Sequence, residues 1–287
     1  MAASVEIAIL LYQGVTALDA VGPWEVLSRI PGAKVQFVGK EVGPVVAEGR
    51  GLLLGATRSI SETICPDVLV VPGGSTTPGQ MVDDEVLDWL RKVHRTSVWT
   101  ASVCTGALIL GAAGILKGQP ATTHWYKMGV LRIMGAKPRP DERVVRSGKV
   151  VTAAGVSAGI DLALWLAGEI AGRERAEAIQ LVIEYDPHPP FDAGHISKAS
   201  KEVQRLANKM MDDSMPGDQR RLVPKIAWNR FLDLVRTGHS TGTGWAPGGS
   251  LTEVPPCVRC VSGRTNGGLT AAGTIAKSAP TFSLIPC

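Results

Sequence analysis

The sequence predicts an α/β fold: a doubly wound, mostly parallel sheet with helices on both faces, followed by a poorly structured C-terminal tail. Three observations carry that expectation. Near-continuous apolar runs of strand length recur, over residues 5–12, 68–72 and 97–103, and unbroken apolarity marks a strand covered on both faces. Stretches with helical spacing of apolar residues separate them, and strand–helix alternation implies parallel pairing. From residue 238 onward the chain turns Gly-, Ser-, Thr- and Pro-rich with almost no periodicity, a composition that cannot bury a core.

Taken in order, residues 5–12 form the first strand and Gly14 opens a turn. A helix follows over 17–30, with apolar Leu18, Val21, Trp24, Val26 and Leu27; Pro23 is placed in its first turn, where a missing N–H costs little. Residues 34–39 read as a second strand and 43–57 as a Gly-rich hairpin or excursion. The strand over 68–72 ends in Gly73-Gly74, an amphipathic helix spans 83–95, and the run over 97–103 stops at Cys104 before a helix over 107–116. A short strand at 121–124 and a helix at 125–134 come next. Residues 143–147 and 150–153 pair as a hairpin around Ser147-Gly148. Helices over 156–171 and 173–185 follow, and the prolines of 185–191 force an irregular segment. Ser200 to Asp212 is expected as one more helix. This gives an α/β domain over 1–200, a helical extension over 201–237 and a disordered tail over 238–287.

The chain has 287 residues, 45% hydrophobic and 20% charged, which suits a globular protein with a full core. No apolar run reaches membrane-spanning length, and the N-terminus lacks the basic segment of a signal peptide. The net charge of +4 is uneven: residues 1–190 hold 18 Lys/Arg and 19 Asp/Glu, and residues 191–287 hold 12 and 7. No helix-turn-helix, zinc-finger or aromatic-basic signature accompanies the excess, so nucleic acid is not an expected partner. Cys65, Cys104, Cys257, Cys260 and Cys287 form no spaced disulfide framework, and an odd count without an export signal fits a reducing cytoplasm. The single Cys257-x-x-Cys260 lacks two further ligands at workable spacing, so no metal is expected.

The chemistry centres on Ser102-Val103-Cys104-Thr105-Gly106. A side chain at a sharp strand-to-helix turn is thrust out at the end of the sheet, beside unpaired N–H groups and the positive end of a helix dipole. That setting lowers the thiol pKa from its free value of about 8.5 and makes the sulfur an exposed nucleophile that peroxide oxidises readily. The alternative is a small buried apolar residue. Asp19 reads either as a helix cap or as a carboxyl that shuttles protons to the thiol; beside a thiolate it resists ionising. Gly73 and Gly74 let the backbone approach a ligand and aim N–H groups at developing negative charge. Thr105 offers a hydroxyl next to the thiol or caps the following helix. His124 completes a Cys–His arrangement or is structural. In an open α/β sheet such residues converge at the carboxyl ends of the strands.

Five segments together resemble the PfpI-like branch of the class I glutamine amidotransferase-like superfamily: 18–26 around Asp19, Val70-Val71-Pro72-Gly73-Gly74, 102–107 around Cys104, Ala121-Thr122-Thr123-His124-Trp125, and 185–194 beginning Tyr185-Asp186-Pro187-His188. The resemblance implies a flavodoxin-like sandwich, a homodimer, Cys104 as nucleophile, Asp19 as acid partner and Thr105 in support. Many relatives with protease or glyoxalase activity carry His directly after the cysteine. Thr105 stands here instead, which points to the subgroup that hydrates an isonitrile to an N-substituted formamide through a thioimidate, with no cofactor. A glyoxalase- or deglycase-like enzyme acting on small aldehydes is the alternative, and a non-catalytic ligand-sensing domain of the AraC-regulator type is another. Removing residues 213–287 is expected to leave a hydratase active, because the site residues all precede them.

Overall fold

The computed structural model describes residues 4–49 and 51–238. Its elements, in chain order, are β1 (Val5–Leu10), α1 (Ala17–Leu27), β2 (Ala33–Gly39), β3 (Gly43–Val46), β4 (Leu53–Ala56), β5 (Arg58–Ser59) and β6 (Val68–Val71). They continue with α2 (Thr77–Gln80), α3 (Asp84–Thr96), β7 (Trp99–Val103), α4 (Gly106–Ala112), β8 (Pro120–Ala121), a 3-10 turn (Trp125–Lys127), α5 (Met128–Ile133) and β9 (Lys137–Pro138). The last are β10 (Val144–Ser147), β11 (Val150–Ala153), α6 (Ala158–Ala171), α7 (Arg173–Val182), α8 (Lys201–Ser214), α9 (Gly217–Arg220) and α10 (Val223–Gly238).

Seven strands form the central sheet in the order β10-β11-β7-β6-β1-β2-β5. Every neighbouring pair is parallel except the β10–β11 hairpin. The expected mostly parallel sheet with helices is thus the observed one. β6 is buried along its whole length and β1 along its last four residues, as their unbroken apolarity requires. Leu10, Leu69 and Leu110 are fully buried, each contributing about 1.5–3 kcal/mol by leaving water. Helix α1 packs on α6, which also meets α7, while α4 meets α3 and α5. Asp83 caps α3, its Oδ1 accepting the Val86 N–H at 3.3 Å.

Several elements depart from expectation for local reasons. Pro23 lies inside α1 rather than in its first turn. Its ring packs toward α6, where a Cβ on Gly159 would sit 3.4 Å from Pro23 Cδ. The strand expected at 121–124 is only β8, paired with β9 away from the main sheet. Thr122 and Thr123 turn away from strand pairing: Thr122 N–H donates to Thr152 Oγ1 at 2.9 Å, and the Thr123 hydroxyl donates to the Cys104 carbonyl at 2.7 Å. The helix expected at 125–134 starts as a 3-10 turn, and α7 ends early where Glu184 adopts φ 48°. The 43–57 excursion is the β3–β4 hairpin, and β5 adds an edge strand. Ser200 caps α8, accepting the Val203 N–H at 3.2 Å. The tail expected to be disordered lies, from residue 239 on, outside the described residues, as do Cys257 and Cys260. Among the described residues no helix is long and apolar enough to cross a membrane.

One contact sets the position of the β7–α4 turn. Gly106 opens α4 so close to β6 that a Cβ on it would stand 1.9 Å from the Val71 carbonyl oxygen. Backbone cannot yield as a flexible side chain would, so Gly106→Ala is expected to cost about 3 kcal/mol or more, read as a lower urea midpoint.

Candidate active site

The carboxyl ends of β1, β6, β7 and β11 bring the site together. The β7–α4 turn carries Cys104 in the left-handed region, φ 57°. Such a conformation costs a non-glycine residue about 1–2 kcal/mol, and three bonds hold it. Cys104 N–H donates to the carbonyls of Ala153 (3.2 Å) and Ala154 (2.9 Å), and its own carbonyl accepts the Thr123 hydroxyl. The β7–β11 register, Val103 beside Ala153, puts the residues after β11 next to the turn.

The loop after β1 and the loop after β6 are zipped together. Val15 bridges to Gly74, Thr16 N–H donates to the Gly73 carbonyl at 2.9 Å, and Ser75 N–H donates to the Gly14 carbonyl at 3.1 Å. A Cβ on Gly74 would lie 2.3 Å from the Gly14 carbonyl oxygen, so only glycine permits this approach. The zipper fixes the start of α1, and with it Asp19, against the turn bearing Cys104.

Asp19 is fully buried. Its Oδ2 accepts the Gly73 N–H at 2.9 Å; Oδ1 has no aligned hydrogen-bond partner, while the Cys104 thiol interacts with the same carboxyl. Burial raises the Asp19 pKa to about 7, against the pull of the Gly73 N–H and the thiol; the charge of Glu48 adds to the rise. Asp19 is therefore not a helix cap. It sits within the first turn of α1 and its side chain points at the thiol.

The thiol departs from expectation. Cys104 is 5% exposed, and burial pushes its pKa well above the ordinary range, with the Asp19 charge acting in the same direction. The N–H groups of Val156 and Thr105 pull the other way. The expected lowering by the helix terminus is present as the Thr105 N–H, but burial beside an anion outweighs it.

The glycines and Thr105 have different partners from those expected. The Gly73 N–H is taken by Asp19 and the Gly74 N–H by Thr105 Oγ1 at 3.0 Å. Neither amide is open to a substrate anion; one holds the buried Asp19 carboxyl and the other the Thr105 hydroxyl at the pocket. Thr105 occupies the cap position of α4 without a side-chain cap bond, and its hydroxyl lies 2.8 Å from that of Thr77. His124 lies beside the Cys104 turn, where a Cβ on Gly155 would stand 2.6 Å from its Cδ2, but it does not line the pocket. Its Nδ1 accepts the Tyr126 N–H at 3.4 Å, its ring lies 5.5 Å from that of Trp125, and burial lowers its pKa to about 4. It is a neutral cap, not part of the pocket wall. Among the described residues no group of three or more His, Cys, Asp and Glu is placed to hold a metal ion.

Val156 and Thr77 were missed in the sequence. The rule that sites gather at strand ends could have found Val156, which follows β11, and Thr77 follows the Gly73-Gly74 turn. A cavity of about 110 Å³ opens over Cys104, Thr105, Gly74 and Thr77. Its walls include Met211, Ser214, Met215, Val223 and Ile226. Residues beyond 213 therefore line the pocket, and removing them takes away part of its wall.

The sequence matches the model of the DJ-1/PfpI family over residues 5–169. It is 41% identical to an isonitrile hydratase of Pseudomonas putida over 212 residues, 74% of this chain and 92% of that protein. The crystal structure of a THiJ/PfpI family protein from Pseudomonas syringae superposes with TM-score 0.72 at 35% identity, covering 78% of this chain and 91% of that one. The HTH-type transcriptional regulator CdhR of Pseudomonas aeruginosa is 28% identical over 162 residues, 55% of this chain; the chain spans about half of that regulator, 48%.

The buried carboxyl makes stability depend on pH. Asp19 holds its proton more tightly folded, at about 7, than in an unfolded chain near 3.9. Its contribution is complete below pH 4 and is lost as pH rises through about 7, a change of about 4 kcal/mol at most. Asp19→Asn keeps an acceptor for the Gly73 N–H and removes the titration. The variant is expected to gain stability over the parent as pH rises from 4 to 8, measured by thermal melts across that range.

Proposed function

The chain belongs to the DJ-1/PfpI family, and from that premise we propose that it hydrates isonitriles to N-substituted formamides, with Cys104 as nucleophile and Asp19 as proton carrier. The observation that carries this reading is the contact between a buried carboxyl and a buried thiol at the floor of an apolar pocket. The 41% identity to an isonitrile hydratase supports the choice of substrate.

The pair begins with one proton, on the thiol. Asp19 takes it as the sulfur attacks the terminal isonitrile carbon, forming the C–S bond. Asp19 then delivers that proton to the same carbon, giving a thioimidate and returning to carboxylate. Water attacks the thioimidate carbon; Asp19 removes a water proton and passes it to the nitrogen. Collapse of the tetrahedral adduct forms the C=O bond and breaks C–S. The hydroxyl proton returns to sulfur by way of Asp19. The sum is one isonitrile plus one water to one formamide, and no step calls for a metal or organic cofactor. The N–H groups of Val156 and Thr105 steady the thiolate while Asp19 holds the proton. Thr105, fixed by Gly74 and Thr77, keeps the pocket floor in shape. The same reading takes the protein as a cytoplasmic homodimer acting on a small molecule, with the α/β domain as its catalytic unit.

Cys104→Ala is expected to abolish formamide production while leaving the melting temperature near that of the parent. Acid quenching during turnover is expected to trap an isonitrile-mass adduct on the peptide bearing Cys104. Turnover of methylglyoxal with none of any isonitrile would overturn the reading. Below pH 7 Asp19 already holds a proton and cannot accept another, so kcat/KM is expected to rise with pH through about 7. Asp19→Asn is expected to lose that limb and roughly 10²–10⁴-fold in rate.

A further inference from the structure

We propose that Arg143 is a positioning residue for the Cys104 sulfur: its carbonyl and its guanidinium together lock the loop between β11 and α6, residues 154–157, and so hold the Val156 N–H on the sulfur. The inference rests on Cys104 as the reacting group of the proposed function and not on the identity of the substrate.

Arg143 stands just before β10, which pairs with β11. Its carbonyl accepts the Ala154 N–H at 2.9 Å, which fixes the first residue of the loop. Its side chain reaches the last. Nη2 donates to Ser157 Oγ at 3.2 Å, and Nε donates to Asp161 Oδ2 at 2.7 Å. Nη2 also lies 2.7 Å from that carboxylate oxygen. One residue thus spans the loop from end to end. Between the two ends, Gly155 lies so close to the His124 ring that no side chain fits there.

This loop is the part of the sheet end that meets the Cys104 turn. Ala153 and Ala154 accept the Cys104 N–H on their carbonyls. Two residues on, the Val156 N–H faces the sulfur and eases formation of the thiolate.

The contacts of Arg143 replace ones that the local sequence would otherwise make. Ser157 occupies the cap position of α6 but makes no side-chain cap bond, although serine there ordinarily accepts an N–H of the first turn. Its oxygen goes to Arg143 instead. Asp161, in the first turn of α6, also accepts from the Tyr185 hydroxyl, 3.3 Å from each of its oxygens. Tyr185 opens the 185–194 segment and is tied to α7: its N–H donates to the Gln180 carbonyl at 3.1 Å, and its carbonyl accepts from Gln180 Nε2 at 3.0 Å. The Arg143 and Asp161 side chains are 50% and 32% exposed, and so open an ion pair adds little to stability. What the planar guanidinium supplies is direction. Hydrogen bonds weaken steeply as their angle closes, so a small drift of the loop takes the Val156 N–H off the sulfur.

The test reads the sulfur itself: the rate at which iodoacetamide alkylates the peptide bearing Cys104, as a function of pH, beside kcat and KM for an isonitrile. Arg143→Ala keeps the carbonyl bond and removes the guanidinium, leaving Asp19 and the Thr105 N–H beside the sulfur. It is expected to move the rise of alkylation to higher pH and to slow alkylation roughly tenfold on the rising limb. It is expected to lower kcat by a similar factor with KM changed by less than about twofold. Arg143→Lys keeps the charge without the fork and is expected to recover part of the loss. Arg146→Ala removes an ion pair to Glu169 of similar exposure, 53% and 37%, from the same hairpin, and is expected to keep the parent's alkylation profile. An Arg143→Ala profile that superimposes on the parent's, or an equal slowing by Arg146→Ala, would overturn the proposal. Should Arg143→Ala fail to fold, Ser157→Ala and Tyr185→Phe decide. Each is expected to slow alkylation about two- to threefold, and parent-like profiles in both would defeat the proposal. The stated shifts in a protein that hydrates no isonitrile would end the hydratase reading and leave the role of Arg143 standing.

Discussion

Two acidic groups held against each other out of water are the constraint on which the rest of the structure depends. Asp19 and Cys104 are both nearly closed to solvent; burial opposes ionisation of each, and the Asp19 charge raises the cost of ionising the thiol further, while the thiol's hydrogen bond eases ionisation of Asp19. A helix N-terminus offers an anion about 0.3–1 kcal/mol, up to ~2 in buried geometries. Holding a carboxyl at about 7 reflects roughly twice that larger figure in the opposite direction. Desolvation therefore wins at both groups, although each stands at the start of a helix. The result is a pair that prefers to keep a proton and can pass it across a short gap.

The surrounding backbone is arranged to tolerate that arrangement. The left-handed Cys104 turn is tied by its N–H to the strand-end carbonyls of Ala153 and Ala154 and by its carbonyl to Thr123. The zipper between the loops after β1 and β6 spends the Gly73 amide on Asp19 and the Gly74 amide on Thr105. Those two amides are spent on side chains rather than left open to a ligand. The Val156 and Thr105 N–H groups take the more direct role at sulfur. Close backbone contact at Gly74 and Gly106 keeps these loops within reach of one another.

The order of strands and helices was legible because the parallel strands are buried on both faces and carry little else than apolar residues. The convergence of Asp19 and Cys104 followed from the same topology, since both come directly after strands that lie close together in the sheet. What the sequence hid were matters of partnership. Nothing in Ala121 to His124 reveals that Thr122 and Thr123 spend their polar groups on β11 and the Cys104 turn rather than extending a strand. His124 looks catalytic by residue type, yet its nitrogen is used as a cap. The sign of the thiol shift depends on how deeply the elbow is covered, and part of that cover comes from α8 and α10, more than a hundred residues away. Local patterning cannot report a wall contributed at that distance.

That distant cover changes what kind of cysteine this is. An elbow thiol open to water and next to a helix dipole would rest as thiolate and meet any electrophile or oxidant that arrived. Here the resting sulfur keeps its proton, because burial and the Asp19 charge both oppose ionisation. Oxidation by peroxide follows thiolate character and exposure, so the expected sensitivity of an open elbow is reduced on both counts. Nucleophilicity is released only when the proton has somewhere to go, and the carboxyl beside it can receive one only as carboxylate. In the hydration proposed above, a neutral electrophile in the apolar pocket supplies the final acceptor, its own carbon. The same burial that makes the thiolate costly at rest strengthens every dipole aimed at it once formed, including the Val156 and Thr105 N–H groups. On the proposed reading, reactivity is thus coupled to occupancy of the pocket, and the helices that line it belong to the chemistry as much as the sulfur does.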